Sequence, residues 1–183
     1  MALLASAALA GLLVWHHRRR ARAARDRQAV LSYLDGPLSD YMMAASRGLT
    51  ALLSRPGTGR AKGLAGASAY YARSVTDLEA LLKGMRPDAW REHLASTLPL
   101  LKDMAARARA WPAAGPRDLP ALIQGESRNR MELWAALEAL KPRAFRELGF
   151  SFNDQLEWNA YLYSLKGQLE YARQAVAKAR QKP

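Results

Sequence analysis

Residues Ala2 to Trp15 carry no charge. They are followed at once by His16, His17 and a block of arginines at Arg18, Arg19, Arg20, Arg22, Arg25 and Arg27, broken by one acid, Asp26. An apolar plug with a basic collar is built to sit in or against a membrane, its charge at the level of the lipid phosphates. A solvated helix face is the plainer account of an arginine block, but the density of this one and its place beside an apolar run favour lipid. As a helix the 14-residue run is about 21 Å long, short of a hydrocarbon core of roughly 30 Å. A span would therefore use Trp15 as an interfacial belt and snorkelling arginines at the headgroups. The anchor residues on this reading are Leu3, Leu4, Leu9, Leu12, Leu13, Val14 and Trp15, with the six arginines behind them.

Two other readings use the same residues. Ala5-Ser6-Ala7 and Ala8-Leu9-Ala10 satisfy the small-residue rule of a cleaved signal peptide, but the charge follows the apolar run instead of preceding it. Residues 1–25 are Arg-rich and free of acids, as in an organellar transit peptide, yet contain one serine. A retained anchor, single-pass with its N-terminus outside and its body cytoplasmic, is the expected arrangement, because arginines after a first apolar helix hold that side in the cytoplasm.

The length, 183 residues, suits one domain behind an anchor, and a 50% apolar composition supports a core. The chain has no cysteine, which removes disulfides, thiol nucleophiles and Cys-ligated metals. The net charge of +12 exceeds what the collar supplies, so the body is basic too. An acidic partner follows: a membrane surface of anionic headgroups, an acidic protein face or nucleic acid.

The rest reads as helix throughout, with three regions: the anchor over 1–17, a basic juxtamembrane helix over 18–37 and a helical bundle over 38–183. The first helix is expected to run to about Leu34 and stop at Asp35-Gly36-Pro37. A second fits Leu38 to Ser54, with Ser39 as cap. Arg55 to Gly63 reads as a mobile basic loop. It lacks the GxxxxGK[ST] spacing of a phosphate cradle, and no strand precedes it. A third helix spans about Leu64 to Lys83 and closes at Gly84. Arg86-Pro87-Asp88 opens the next, with Pro87 in its first turn. There Trp90, Leu94, Leu98, Leu101, Ala105, Ala108 and Trp111 trace one stripe, kinked or broken by Pro99. Beyond the Pro112–Pro116 connection, Asp118 is the expected cap of a helix interrupted at Gly125 and ended at Pro142. A short helix over Arg143 to Leu148 then closes at Gly149, and Phe150 and Phe152 act as aromatic plugs. Asn153 or Asp154 caps the last helix, where Trp158, Leu162, Leu165, Leu169, Ala172 and Val176 keep a bundle seam. The fold expected is all-α: an anchor helix and an antiparallel bundle of about five or six helices.

Little of this supports catalysis. His16 and His17 point about 100° apart on a helix and cannot share a metal, and His93 lacks an HExxH partner. No carboxylate–ExxH set and no GxSxG elbow is present. The cluster Glu126-Ser127-Arg128-Asn129-Arg130 reads as an exposed helix start. Trp90, Trp134 and Trp158 read as core, and Trp111 and Trp15 as surface. No catalytic residue, cofactor, metal or small-molecule substrate is expected. The function implied is a non-enzymatic adaptor, accessory subunit or assembly factor held beside a membrane-associated complex. Its contact candidates are Arg60, Lys62, Trp111, Tyr163 and Tyr171. A nucleic-acid binder is the weaker rival, since no helix-turn-helix, RNP or zinc pattern accompanies the basic charge.

Overall fold

The computed structural model describes residues 2–54, 57–113 and 118–180, with side chains from Leu12 onward except that of Leu119 and those at several positions of the last helix. Among these residues the protein is all-helical. Helices α1 (Ala2–Tyr33), α2 (Ser39–Leu53), α3 (Thr58–Gly84), α6 (Leu119–Glu147) and α7 (Phe152–Arg180) have 15 residues or more, and α4 (Ala89–Ala95) and α5 (Leu98–Ala110) are shorter. Short links make hairpins of α2 with α3 and of α6 with α7, and α4 and α5 pack on the first of these.

The core is one cluster. Val30, Tyr33 and Leu34 bring the C-terminal end of α1 into it, beside Tyr41, Leu49 and Leu52 of α2 and Tyr71 and Leu78 of α3. The α2–α3 pair is the closest, because glycine lets the backbones approach. A Cβ on Gly63 would stand 2.8 Å from that of Ala51, and one on Gly48 would run into the Trp111 indole. The seam on α7 forms as its spacing predicts: Trp158, Leu162, Leu165 and Leu169 are buried, while the side chains of Ala172 and Val176 lie outside the described residues. Pro99 divides the Trp90–Trp111 stripe as expected, standing in the first turn of α5 where its missing N–H costs nothing.

Several boundaries differ from those the sequence suggests. Asp35-Gly36-Pro37 does not stop the first helix. The path continues into α2 through a π-helical turn, Leu34–Leu38, which absorbs the donor missing at Pro37. The buried Ser74 hydroxyl of α3 donates to the Pro37 carbonyl at 2.6 Å, so the turn is held from outside. Ser39 is therefore helical and caps nothing. Most of the expected basic loop is helix, since α3 begins at Thr58; Arg55 and Pro56 lie outside the described residues. Asp88, not Pro87, opens α4, its carboxylate accepting from the Arg91 amide at 3.0 Å. Gly125 and Pro142 both sit inside an unbroken α6, so no separate helix exists over 143–148. Gly149, at φ +61°, provides the left-handed turn into α7. The residue that caps α7 is Ser151. Its hydroxyl accepts from the Asp154 amide, and Asp154 accepts from the Ser151 amide at 2.6 Å, a reciprocal capping box.

Candidate functional site

The feature the body does not account for is the free end of α1. From Leu12 to Arg22 every side chain is exposed, and the helix is first fully buried at Val30. Leu12, Leu13, Val14 and Trp15 thus stand exposed, Trp15 at 57%. The side chains of Leu3, Leu4 and Leu9 lie outside the described residues. Arg19 stacks over the Trp15 ring at 5.5 Å, which joins the apolar end to the collar by a cation–π contact.

The collar divides by role. Arg18, Arg19, Arg20 and Arg22 project into solvent. Arg27 does not: it pairs with Asp154 at the start of α7 and ties α1 to the opposite end of the chain. Burial pushes the Asp154 carboxyl up, but the Ser151 hydroxyl and amide and the Arg27 guanidinium outweigh it and hold the group below its ordinary value. Arg22 and Arg25 border a cleft of about 930 Å³ between α1, the last turn of α3 and the connection to α4. Arg18, Arg22 and Arg25 fall at i, i+4 and i+7 and so share one helix face. Asp26 also lines the cleft. Burial raises its carboxyl above the ordinary value and the nearby Asp88 raises it further, against the pull of Arg25 and Arg22.

The expected contact residues scatter. Tyr163 is 78% exposed, and Tyr171 and Lys62 are exposed as expected. Arg60 is buried, because the segment around it is helical and packs inward. Trp111 is fully buried in the core, where its ring meets Tyr71 edge-on at 5.7 Å. Trp134, expected in the core, is half-buried.

The largest departure concerns the 126–130 cluster. Three of its side chains, Glu126, Asn129 and Arg130, are buried, while Arg128 stays exposed. Arg130 pairs with Glu126 one turn earlier on α6. The Tyr41 hydroxyl donates to the Asn129 side chain at 2.7 Å, and Asn129 donates to the Leu100 carbonyl at 2.8 Å. The Tyr71 hydroxyl reaches Glu126 at 3.4 Å, and Tyr41 and Tyr71 meet edge-to-face at 5.3 Å. Burial raises Tyr33 to about 12, pushes Tyr41 and Tyr71 well up, and lowers Arg130. One signal in the sequence pointed inward: Glu126, Asn129, Arg130, Leu133 and Leu137 recur at helical spacing, the polar positions continuing the apolar ones.

Among the described residues no group of three His, Asp or Glu side chains could hold a metal ion, and no helix is long and apolar enough to cross a membrane. The second finding removes the support for a single-pass span. The apolar stretch of α1 is too short and the arginines follow too soon. No protein-family model, curated protein or solved structure matches this chain.

Proposed function

We propose that this protein is a non-enzymatic, membrane-tethered helical adaptor. The apolar end of α1 enters the bilayer from one side without crossing it, the exposed arginines meet anionic headgroups, and the bundle is presented to a membrane-associated partner. The observation that carries the reading is the exposure of Leu12, Leu13, Val14 and Trp15 just before the four exposed arginines. Burying such side chains in an apolar medium yields about 1.5–3 kcal/mol each. Each arginine near an anionic surface adds about 1 kcal/mol. An inner leaflet rich in acidic lipid is the surface this charge selects, which places the bundle on the cytoplasmic face. Tethering there raises the concentration of the bundle beside its partner with no new contact between them.

Flotation of the full chain on vesicles of phosphatidylcholine and phosphatidylglycerol tests this. The wild type is expected to float and to stay bound in high salt, whereas Leu12→Glu/Trp15→Glu stays at the bottom. Release of the wild type by salt alone would limit the contact to the arginines. A wild type that never floats would rule out the tether and turn attention to nucleic acid.

A further inference from the structure

The cleft beside the collar carries both signs of charge and an apolar floor, a combination that narrows its ligand. Arg22 and Arg25 of α1 and Arg86 of the α3–α4 connection supply three guanidinium groups at its border. Asp26 and Asp88 supply two carboxylates. Ala29, Leu81 and Met85 add apolar surface to the lining. We propose that this cleft binds an aminophospholipid, a ligand that presents a phosphate, a primary ammonium and an acyl chain in one molecule. The assignment rests on the membrane reading above, and it makes the contact selective.

The chemistry runs group by group. Guanidinium forks hold phosphate oxygens through paired, charge-assisted bonds. A purely anionic headgroup would draw the arginines from the acids and bring no positive charge to replace them. Burial and the neighbouring Asp88 raise the proton affinity of Asp26, so a primary ammonium seated beside the two carboxylates relieves a repulsion built into the cleft. One oxygen of Asp88 is engaged at the Arg91 amide, which fixes that carboxylate in place. The volume, about 930 Å³, lies at the upper end of small-molecule sites. Inorganic phosphate would leave most of it empty, whereas a glycerol backbone and the first part of a chain would cover Leu81 and Met85. Position agrees. Arg22 and Arg25 continue the face of Arg18, and lie about 10–15 Å along the axis from Trp15. An α1 oblique to the membrane brings that face to the phosphates while its apolar end is inserted.

The test needs no membrane, which separates it from the test of the tether. Dihexanoyl phosphatidylethanolamine, kept below its micelle concentration, is titrated into the full chain by calorimetry beside dihexanoyl phosphatidylglycerol and free phosphoethanolamine. Saturable binding of the ethanolamine lipid is expected, roughly five-fold tighter than the glycerol lipid, the size a partly exposed ion pair supplies. Free phosphoethanolamine should bind at least about ten-fold more weakly, lacking the apolar contact. Asp26→Asn, checked for wild-type helicity, should bring the two lipids to parity. Arg86→Gln should weaken both. The proposal is overturned if no short-chain lipid binds, if the glycerol lipid binds as tightly as the ethanolamine lipid, or if Asp26→Asn keeps the preference. Equal affinity for free phosphoethanolamine would also overturn it, assigning the cleft to a soluble ligand. Saturable binding by a wild type that fails to float would reject the tether and leave this site standing.

Discussion

Glu126→Leu is the most informative single change in the bundle. It removes the carboxylate paired with Arg130, whose side chain is fully buried and whose guanidinium nitrogens make no other hydrogen bond. Arginine does not shed its proton in a protein, so the charge stays. Breaking a buried pair from one side costs about 3–5 kcal/mol. Loss of the long Tyr71–Glu126 bond adds less than about 1 kcal/mol. The reverse change, Arg130→Met, differs in kind, because the abandoned carboxyl can take up a proton. Relative to a free carboxylate near pH 4.3, protonation costs about 3.7 kcal/mol at pH 7 and about 1 kcal/mol at pH 5. The folded state of that variant binds the extra proton, so its stability rises as the pH falls. Urea denaturation of both variants at pH 7 and pH 5 is the assay. Arg130→Met should recover about 2–3 kcal/mol across that interval and Glu126→Leu should recover none beyond wild type. The double variant should return to within about 2 kcal/mol of wild type or exceed it, since well-packed apolar side chains replace buried ion pairs at little cost. A Glu126→Leu cost below about 1 kcal/mol, or a double variant as unstable as the sum of the singles, would refute the reasoning.

Three other outcomes follow from the packing and the charges. Gly48→Ala should lower stability by about 1–3 kcal/mol in a thermal melt, because its methyl group would displace the buried Trp111 indole and crowd Ala67 at 3.3 Å. Tyr33, Tyr41 and Tyr71 have raised proton affinities in the fold, so their contribution is complete below the unfolded value near pH 10 and is lost as the pH rises beyond it. A titration followed at 295 nm should show these three ionising only together with unfolding, at a combined slope of about 4 kcal/mol per pH unit. Arg27→Ala should cost no more than about 1 kcal/mol globally, since the Arg27 side chain is 35% exposed and the pair is partly screened by solvent. It should nonetheless speed amide exchange near Asp26–Val30 while leaving α2 and α3 protected.

The apolar periodicity was enough to read the fold class, the α7 seam, the split at Pro99 and the end of α3. Each depends on spacing within one helix, and that is what a sequence displays directly. The errors cluster where a second segment decides. Pro37 interrupts a regular helix, and here a π-helical turn accommodates it while Ser74, 37 residues away, holds the turn by donating to the Pro37 carbonyl. Gly125 and Pro142 look like breaks by propensity, but burial of Ile123, Leu133, Leu137 and Ala144 on one face of α6 overrides it. The Glu126–Arg130 pair looked like surface because charged side chains are seldom buried. The partners of Glu126 and its neighbour Asn129, namely Tyr71 for the first and Tyr41 and Leu100 for the second, come from three other helices, and no local pattern announces them. At the candidate site, the apolar end and the collar were legible. The role of Arg27 and the cleft were not, since both arise from segments far apart in the chain.

The projecting half of α1 has a further property. It carries no acid in its first turn to meet the helix dipole. Arg18 and Arg22 stand at i, i+4, with Arg19 and Arg22 at i, i+3, and like charges at those spacings destabilise a helix by about 0.2–0.5 kcal/mol a pair. Isolated helices of this length are marginal in water. What sustains the helix is its docked end, where Val30, Tyr33 and Leu34 are fixed in the core and propagation can begin. An anionic surface cancels the arginine repulsion and covers Leu12 to Trp15, so membrane contact and helix formation reinforce one another. Amide exchange over Trp15–Arg25 measures the coupling. Protection there should rise by about ten-fold or more on vesicles containing phosphatidylglycerol, and stay unchanged on phosphatidylcholine alone. Equal protection in both, or in neither, would mean that the arginines and the apolar end do not act on a common surface.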